Sequence, residues 1–493
     1  MIHRKDRPHL FHQSNVIFLF ILTLGVILRL YFQIGHIYSD DAYYSYLSFT
    51  LFKGDFANNY MGYPVFVLRL GQIGLTAIAF TLFGTNETAT IIFPFLFSII
   101  NIFLTYIIAL LFTSRKDISL ISAFLICIFP TDVVFATINF PDLINIFFIN
   151  LGIYLLIRSY KEEKIFTAIL GGISIFFSMQ FKETAYYFLF LFLLLFLYLL
   201  IKEKKINLQL LISVIFIGLN LVIEGFVYLL IHQDFLYRIS ITAENYKYSY
   251  YDFFPYTAQQ FSGSENYFKN LFDQIFFINI RSIFPRRFYL FIPITGLIQS
   301  IVHVVKKEYK LLTFWFIGIA VLLIAFTTSF TEYKPLDLQR SWYIYPLVMP
   351  SVILTSIFLS RFRKVYLNIS LVVLFIGSLV MSNAYEEYFQ KNNLTGLNNF
   401  LRSHQKNLIA TDHFTKYSVD LIRGYSADSP SVRFRDIERL SAGTLILYNQ
   451  KHIDELELQG YSFPKFNFKS STFEHIKTFG DFDIYKLTGD LTK

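Results

Sequence analysis

The chain has 493 residues, of which 54% are apolar and only 16% charged, whereas about a quarter of the residues in a soluble domain are charged. This composition, with 59 Phe and 34 Tyr, excludes a disordered chain, a basic nucleic-acid-binding domain and an ordinary soluble enzyme. The single cysteine, Cys127, excludes an intramolecular disulfide framework and a cysteine-cluster metal site. The net charge of +8 is carried by short basic clusters between apolar runs, which is typical of a polytopic membrane protein.

Twelve apolar runs approach the length of about 20 residues that a helix needs to cross a bilayer. They lie near 14–34, 64–83, 89–112, 118–136, 140–157, 165–181, 185–201, 207–231, 288–305, 311–330, 342–360 and 365–383. The first run has basic residues before it and no small-residue cleavage site after it, so we expect an uncleaved membrane anchor.

The run 64–83 differs from the others because Arg69, Gln72 and Thr76 stand at positions i, i+3 and i+7. That spacing predicts one polar stripe along a helix. Since a charge at the bilayer centre costs about 2.5–3.5 kcal/mol, a helix lying in the interface is the cheaper arrangement. We therefore predict eleven spans and an interfacial helix in the first outer loop.

The charges of the loops predict which side of the membrane each loop faces. With eleven spans, the six segments on one side carry seventeen Lys and Arg residues, whereas the short segments on the other side carry five. The positive-inside rule then places the N-terminus in the cytoplasm of a multi-pass cell-membrane protein. The outer side receives the first loop, 35–88, a long loop, 232–287, and the tail, 384–493.

The tail differs abruptly in composition from the rest of the chain, because it is polar and mixed in charge. Apolar runs at 408–410 and 444–448 alternate with a helix-like stretch at 394–404, which predicts a small α/β domain. The predicted fold is thus an all-α polytopic membrane domain, residues 1–383, followed by an extracytoplasmic α/β domain, residues 384–493.

Acidic and basic side chains cluster at the outer ends of the predicted spans. Because the spans pack as one bundle, the connections that carry these side chains must lie close together. The candidates for chemistry at this surface are Asp40, Asp41, Arg69, Asp142, Lys182, Glu183 and Arg340.

Several of these residues also have a purely structural interpretation. Ser39 could cap a helix from Asp40 to Lys53, whose first-turn acids would then merely suit the helix dipole. The dipole explains Asp142 equally well. The adjacent Lys182 and Glu183 could form an interfacial hinge, and Arg340 could anchor its span to lipid headgroups.

Three further polar residues lie within or beside the apolar runs. Asp132 follows Pro130 and is interpreted as a plain turn residue. Arg29, inside the first span, is expected to snorkel outward. Glu224, near the outer end of its span, is a candidate functional acid, because membranes rarely retain a buried acid without a role.

The strongest functional signal is a set of short motifs in a fixed order on the predicted outer side. The first is Tyr38-Ser39-Asp40-Asp41, and the others are Gly62-Tyr63-Pro64, Phe83-Gly84-Thr85-Asn86-Glu87, Pro141-Asp142-Leu143, Phe181-Lys182-Glu183-Thr184 and Arg340 with Tyr343, Tyr345, Pro346 and Pro350. This series resembles the GT-C-fold glycosyltransferases, in particular the branch of protein O-mannosyltransferases and lipid A aminoarabinose transferases. The chain lacks the Trp-Trp-Asp motif of oligosaccharyltransferases, which argues against en bloc transfer of a glycan to asparagine.

The resemblance implies the transfer of a single sugar, with inversion, from a polyprenyl-phosphate donor to a hydroxyl of a glycan, lipid or protein acceptor. Asp40 would be the general base that takes the hydroxyl proton, and Asp41 would assist it. Lys182 and Arg340 would stabilise the leaving phosphate, and Asp142 would hold sugar or acceptor hydroxyls. The substrate-binding set predicted here is Asp142, Lys182, Glu183, Arg340 and Arg69.

The sequence requires no cofactor. The resemblance implies the lipid-linked donor and the acceptor as partners, and the composition adds the bilayer and excludes nucleic acid. Two carboxylates with a phosphate suit Mg²⁺ or Mn²⁺, but no spacing demands a metal, so the metal is left open. A polysaccharide polymerase or ligase, or a flippase for the lipid carrier, would also use outer carboxylates and cations. A secondary transporter is typically built from inverted repeats, which the sequence lacks, and a scaffold that presents the tail would leave the outer polar residues without a role.

Overall fold

The computed structural model describes residues 8–55, 64–204, 206–247, 291–325, 341–426, 428, 430–436, 439–458 and 466–492. Helices dominate up to residue 403 because the backbone of an apolar run can satisfy its hydrogen bonds in lipid only within itself. They are α1 (Pro8–Tyr31), α2 (Asp40–Phe52), α3 (Leu70–Phe83), α4 (Glu87–Thr113), α5 (Lys116–Cys127), α6 (Pro130–Phe135), α7 (Asp142–Glu162), α8 (Ile165–Met179), α9 (Ala185–Glu203), α10 (Leu208–His232), α11 (Tyr237–Lys247), α12 (Phe291–Lys306), α13 (Lys310–Ala325), α14 (Ser341–Ile344), α15 (Val348–Leu359), α16 (Lys364–Tyr388) and α17 (Lys391–Ser403). Short 3₁₀ helices lie at Pro64–Leu68 and Tyr345–Leu347.

The helices confirm a multi-pass membrane protein. In the part of the chain that the structure describes, five helices are long and apolar enough to cross a membrane by themselves, namely α1, α4, α7, α10 and α16. Shorter apolar helices of 10–17 residues occupy most of the other predicted spans. The exact number of crossings therefore stays a prediction.

One predicted span is broken into two helices. Instead of a single helix over 118–136, α5 ends at Cys127 and α6 begins at Pro130. Proline has no N–H to donate and a φ suited to the first position of a helix, so it starts a new helix there. This break carries Asp132 into the first turn of α6.

The first outer loop contains the two helices predicted for it. The helix expected over Asp40–Lys53 is observed as α2, and Gly54 follows with a φ of +75°. With 14 residues, α3 is about 21 Å long, which is shorter than the hydrocarbon core of about 30 Å. Its placement in the membrane interface remains a prediction.

The polar stripe of α3 faces the protein interior. The buried side chains of Gln72 and Thr76 donate to Oδ1 of Asn139 over 2.6 and 3.2 Å, and the Asn139 amide donates to Ser45 over 3.0 Å. The stripe thus provides hydrogen bonds between α3, α2 and the turn before α7, a use that the spacing alone does not reveal.

The tail contains a mixed five-stranded sheet in the order β2-β1-β4-β6-β5. Its strands and helices are β1 (Ile409–Thr411), α18 (His413–Ile422), β2 (Ser431–Arg433), β4 (Leu445–Tyr448), α19 (Gln450–Leu458), β5 (Phe473–Phe479) and β6 (Phe482–Leu487), and β3 (Arg439–Leu440) pairs separately with β7 (Leu491–Thr492). The strand β1 is parallel to β2 and β4, whereas β6 is antiparallel to β4 and β5.

Helices cover both faces of this sheet. Because side chains alternate along a strand, Leu445 and Leu447 of β4 pack with α17 and α18 on one face, whereas Ile446 packs with Ile453 of α19 on the other. The α/β character expected for the tail is therefore observed.

The C-terminal region packs directly on the first outer loop. Tyr425, which follows α18, stacks on Phe49 of α2 with ring centroids 3.9 Å apart. Thr85 donates to the carbonyl of Gly424 over 3.0 Å. Tyr38 of the aspartate motif also packs against the C-terminal sheet, beside Phe482 of β6.

Candidate active site

The two neighbouring aspartates at the start of α2 have different environments. The Asp40 side chain is exposed, whereas that of Asp41 is fully buried. The Asp41 carboxylate accepts hydrogen bonds from the amides of Ile37, over 2.7 Å, and Ser39, over 2.8 Å. Ser39 occupies the N-cap position, but its side chain makes no capping bond. The side-chain cap considered for Ser39 is thus not formed. The Asp41 carboxylate binds amides that precede the helix, and the Ala42 amide donates to the Ser39 carbonyl over 2.9 Å.

His36 completes the environment of Asp41. Its Nδ1 lies 2.7 Å from a carboxylate oxygen of Asp41, and its Nε2 lies 2.9 Å from Oγ of Ser418 in α18. Burial lowers the pKa of His36, but the charge and hydrogen bond of Asp41, together with the charge of Glu87, raise it above its usual value. Burial raises the pKa of Asp41, yet His36 and the two amides lower it on balance. The pair therefore fixes the turn that precedes Asp40.

Arg69 links the start of α3 to α2 and to the turn before α9. Its guanidinium forms a two-pronged ion pair with Glu183, with distances of 2.7 and 3.2 Å, and also donates to the hydroxyl of Tyr44. Burial would raise the pKa of Glu183, but the charge and hydrogen bonds of Arg69 lower it. Tyr44 stands four residues after Asp40, so the two share one face of α2.

Lys182 and Asp142 form the next ion pair along this surface. Nζ of Lys182 lies 2.6 Å from the Asp142 carboxylate and 5.4 Å from the ring centroid of Tyr343. Both charged side chains are largely buried, with 13% and 9% of their surface exposed. Since an ammonium has three N–H donors, the ion pair with Asp142 does not exhaust its capacity. Tyr343 brings the segment that follows Arg340 to the same place.

A third buried ion pair joins Glu224 and Arg238, of which the sequence analysis had named only Glu224. Glu224, a candidate from the sequence, pairs with Arg238 of α11, with contacts of 2.5 and 3.0 Å. Arg238 also donates to Gln180 over 3.0 Å and to the carbonyl of Leu68 over 3.3 Å. Arg238 escaped the sequence analysis because nothing in the long polar loop distinguishes it from the other basic residues.

Arg29 of α1 and Asp132 of α6 form a fully buried ion pair, and both interpretations from the sequence are wrong. Arg29 does not snorkel outward but donates to Asp132 and, over 2.6 Å, to Ser98. Asp132 is not a plain turn residue, because it also accepts from Ser98 and from the hydroxyl of Tyr345. The pair ties α1, α4, α6 and the 3₁₀ turn before α15 together.

The structure thus brings together most of the predicted site residues. Arg69, Glu183, Lys182 and Asp142 form two adjacent ion pairs, and Tyr44 extends the first pair toward the helix face of Asp40. Arg340 lies outside the described residues. No three His, Cys, Asp or Glu side chains converge in an arrangement suited to a metal ion anywhere in the described ranges.

Comparison with solved structures identifies the fold. ArnT from Cupriavidus metallidurans in the apo state superimposes with a TM-score of 0.56, covering 97% of this chain and 98% of ArnT at 10% sequence identity. The chain has a GT-C fold. ArnT bound to undecaprenyl phosphate matches this GT-C fold with a TM-score of 0.52 over the same shares, also at 10% identity.

Two further comparisons agree with the GT-C fold. The Archaeoglobus fulgidus oligosaccharyltransferase matches with a TM-score of 0.54 and 12% identity over 83% of this chain. The chain spans only 61% of that protein's length. Residues 75–228 match the family described as dolichyl-phosphate-mannose-protein mannosyltransferase. No protein with a curated function matches the sequence significantly. The resemblance predicted from the motifs is therefore confirmed.

Proposed function

We propose that the protein is a membrane glycosyltransferase that moves a single sugar from a polyprenyl-phosphate donor to an acceptor hydroxyl on the extracytoplasmic side. The observation that carries this proposal is the contrast between Asp40 and Asp41. The Asp41 carboxylate is buried and accepts from two amides of its own turn, whereas Asp40 is exposed at the start of the same helix, one turn before Tyr44, whose hydroxyl accepts from Arg69. The GT-C fold and the partial family match support a lipid-linked sugar as the donor.

Asp40 is the proposed general base. Transfer with inversion requires a carboxylate within hydrogen-bond reach of the acceptor hydroxyl, and an exposed side chain can meet an incoming acceptor. Asp41 acts with it by fixing the turn through the amides of Ile37 and Ser39. The acceptor oxygen attacks the anomeric carbon as its proton passes to Asp40, and the bond from that carbon to the lipid phosphate breaks. No covalent bond to the enzyme is needed.

Lys182 is proposed to stabilise the departing lipid phosphate, on which negative charge develops. Asp142 holds the ammonium at 2.6 Å and can also accept from a sugar hydroxyl. Arg69 and Glu183 support the site through their mutual ion pair, and Arg340 is proposed from the sequence as a second phosphate contact. A polymerase, ligase or flippase acting on polyprenyl-linked glycans is the alternative, and it would not depend on Asp40 in this manner.

Sugar transfer in isolated membranes tests the proposal. A radiolabelled polyprenyl-phosphate sugar is supplied to membranes that contain the wild type, Asp40→Asn or Asp55→Asn. Asp55 provides the matched control, because it is also exposed and lies just beyond the C-terminal end of the same helix. We expect label to move to an acceptor in the wild type and the control, and to fall about 10²-fold or more in Asp40→Asn.

Each contrary result has a distinct meaning. Normal transfer by Asp40→Asn would show that Asp40 is not the base. A wild type that moves no sugar from any such donor would favour the flippase, polymerase or ligase.

A further inference from the structure

We propose that Tyr38 is a positioning residue through which the C-terminal domain, residues 384–493, holds Asp40 in place for sugar transfer. This inference rests on the proposed function, since it takes Asp40 as the general base. It assigns the C-terminal domain a part in the transfer step itself, beyond any selection of the acceptor.

The backbone of Tyr38 has a conformation that a tyrosine rarely adopts. Its φ is +59°, in the left-handed region. The Cβ of an L-residue is crowded there, so surrounding contacts must hold the residue in this state. Residues with such backbones tend to occur at functional sites, and Tyr38 precedes Asp40 by two positions.

The contacts that hold Tyr38 come from the C-terminal domain. The side chain is 1% exposed, and its ring lies 5.1 Å from the ring of Phe482 in β6. Its hydroxyl donates to Oδ1 of Asn398 in α17 over 2.6 Å. Burial, with the nearby charges of Glu87 and Asp41, raises the pKa of this phenol well above its usual value, so it remains a donor at all ordinary pH values.

The carboxylate of Asp41 couples the backbone around Tyr38 to Asp40. It accepts from the amides of Ile37 and Ser39, the residues on either side of Tyr38. Two hydrogen bonds therefore join residues 37–41 into one turn around Tyr38. Asp40 lies inside this turn, so a displacement of Tyr38 displaces the proposed base as well.

Two further contacts join the same turn to the C-terminal domain. The His36 ring lies 2.9 Å from Ser418, and the Glu87 carboxylate accepts from both the His36 amide, over 3.0 Å, and Arg402, over 2.8 Å. Helices α17 and α18 thus both hold the segment before Asp40. None of these contacts involves Lys182 or Asp142, so the proposed phosphate contact should not depend on them.

The test combines the variants Tyr38→Phe, Asn398→Ala and their double variant with a matched control. The control is Tyr448→Phe, which likewise removes one tyrosine hydroxyl. Tyr448 lies in the C-terminal domain on the other face of the sheet, where its hydroxyl donates to Gln450 over 2.8 Å. For each protein, kcat, KM for the acceptor and affinity for the polyprenyl-phosphate donor are measured. Hydrogen–deuterium exchange of residues 35–47 is followed as a readout that does not require activity.

We expect Tyr38→Phe and Asn398→Ala each to lower kcat about 3- to 10-fold, because a lost hydrogen bond loosens the turn and catalysis is sensitive to misplacement of the base. The double variant should be no worse than Asn398→Ala, which also removes the donation of the Asn398 amide to the Glu87 carboxylate over 3.5 Å. Exchange of residues 35–47 should rise in all three, while donor affinity and Tyr448→Phe stay at the wild-type level.

Several outcomes would overturn the inference while leaving the proposed function intact. These are an unchanged kcat in Tyr38→Phe, unchanged exchange in both single variants, losses that multiply in the double variant, and an equal loss in Tyr448→Phe. The wild type is assayed before the variants. If it transfers no sugar, both the proposed function and this inference are overturned.

Discussion

Lys182 donates to Asp142 across 2.6 Å and thereby joins two connections that are 40 residues apart in the chain. Both side chains of the pair are largely buried, so each charge is compensated chiefly by the other. An ammonium held in this manner is already oriented when a phosphate arrives. Such preorganised charge is worth more in a site that excludes water than in solution.

The proposed role of Lys182 predicts that Lys182→Met lowers kcat by about 10²–10³-fold, the typical effect of removing one preorganised donor from a developing negative charge. The measurement is kcat with a saturating polyprenyl-phosphate sugar. Lys53→Met, which removes an exposed lysine from the same predicted side, should behave as the wild type. An equal loss in both variants would point to a general effect of charge rather than to a contact with phosphate.

The pair formed by Arg69 and Glu183 should contribute mainly to stability. Glu183→Gln leaves the buried guanidinium without its counter-charge, which typically costs about 3–5 kcal/mol, so the melting temperature in detergent should fall clearly. Arg69→Lys should also destabilise the protein, because an ammonium cannot reproduce the two-pronged contact. Arg439→Gln, which breaks an exposed pair with Asp490, should change little. Comparable losses in all three variants would contradict this assignment.

The pair formed by His36 and Asp41 predicts a pH dependence of stability. The raised pKa of His36 contributes stability that is fully present below its unfolded value of 6.5 and is lost as the pH rises through the folded pKa. The lowered pKa of Asp41 contributes stability that is present above 3.8 and is lost as the pH falls through its folded pKa. The pair is therefore most stabilising between these two values.

The melting temperature of the wild type minus that of His36→Asn should thus be larger near pH 6 than near pH 9. Measurement of both proteins across this range in one detergent provides the test. A difference that stays constant, or that grows toward alkaline pH, would show that His36 is neutral in the folded protein.

Asp132→Asn should lower the yield of folded protein in the membrane. It leaves Arg29 buried with no anionic partner, at a typical cost of about 3–5 kcal/mol. The double variant Arg29→Met, Asp132→Leu should recover part of this loss, because it removes both charges from the apolar interior. The yield of correctly folded protein after detergent extraction measures the effect. A double variant worse than either single change would contradict the pairing.

The sequence predicted the elements of the fold better than their contacts. The helix α2, the GT-C resemblance and the α/β character of the tail follow from local patterns, because periodicity and short motifs lie within about twenty residues. The contact between Arg29 and Asp132 joins residues 103 positions apart. No local pattern indicates that partner, so snorkelling and a turn were the natural expectations.

The same limit applies to the aspartate pair. Asp40 and Asp41 both stand in the first turn of α2. The family resemblance implies Asp40 as the base, but no local pattern shows that Asp41 is buried and Asp40 exposed. They differ only because successive helical residues point about 100° apart, which directs Asp41 to His36 and leaves Asp40 exposed. Tyr38 is buried by the C-terminal domain, and its hydroxyl donates to Asn398, which lies 360 positions later in the chain. No local pattern around Tyr38 indicates this partner.

The separation of Arg29 from Asp132 also has a consequence for biosynthesis. At about 5–20 residues per second, a ribosome needs roughly 5–20 s to extend the chain by the 103 positions from Arg29 to Asp132. The first helix must therefore enter the membrane before Arg29 has its partner Asp132. During that time the long arginine side chain can extend to the membrane interface, which lowers the cost of inserting its charge. The ion pair of Arg29 and Asp132 forms only after several later helices have been inserted. The first helix is therefore inserted well before it packs against its final neighbours.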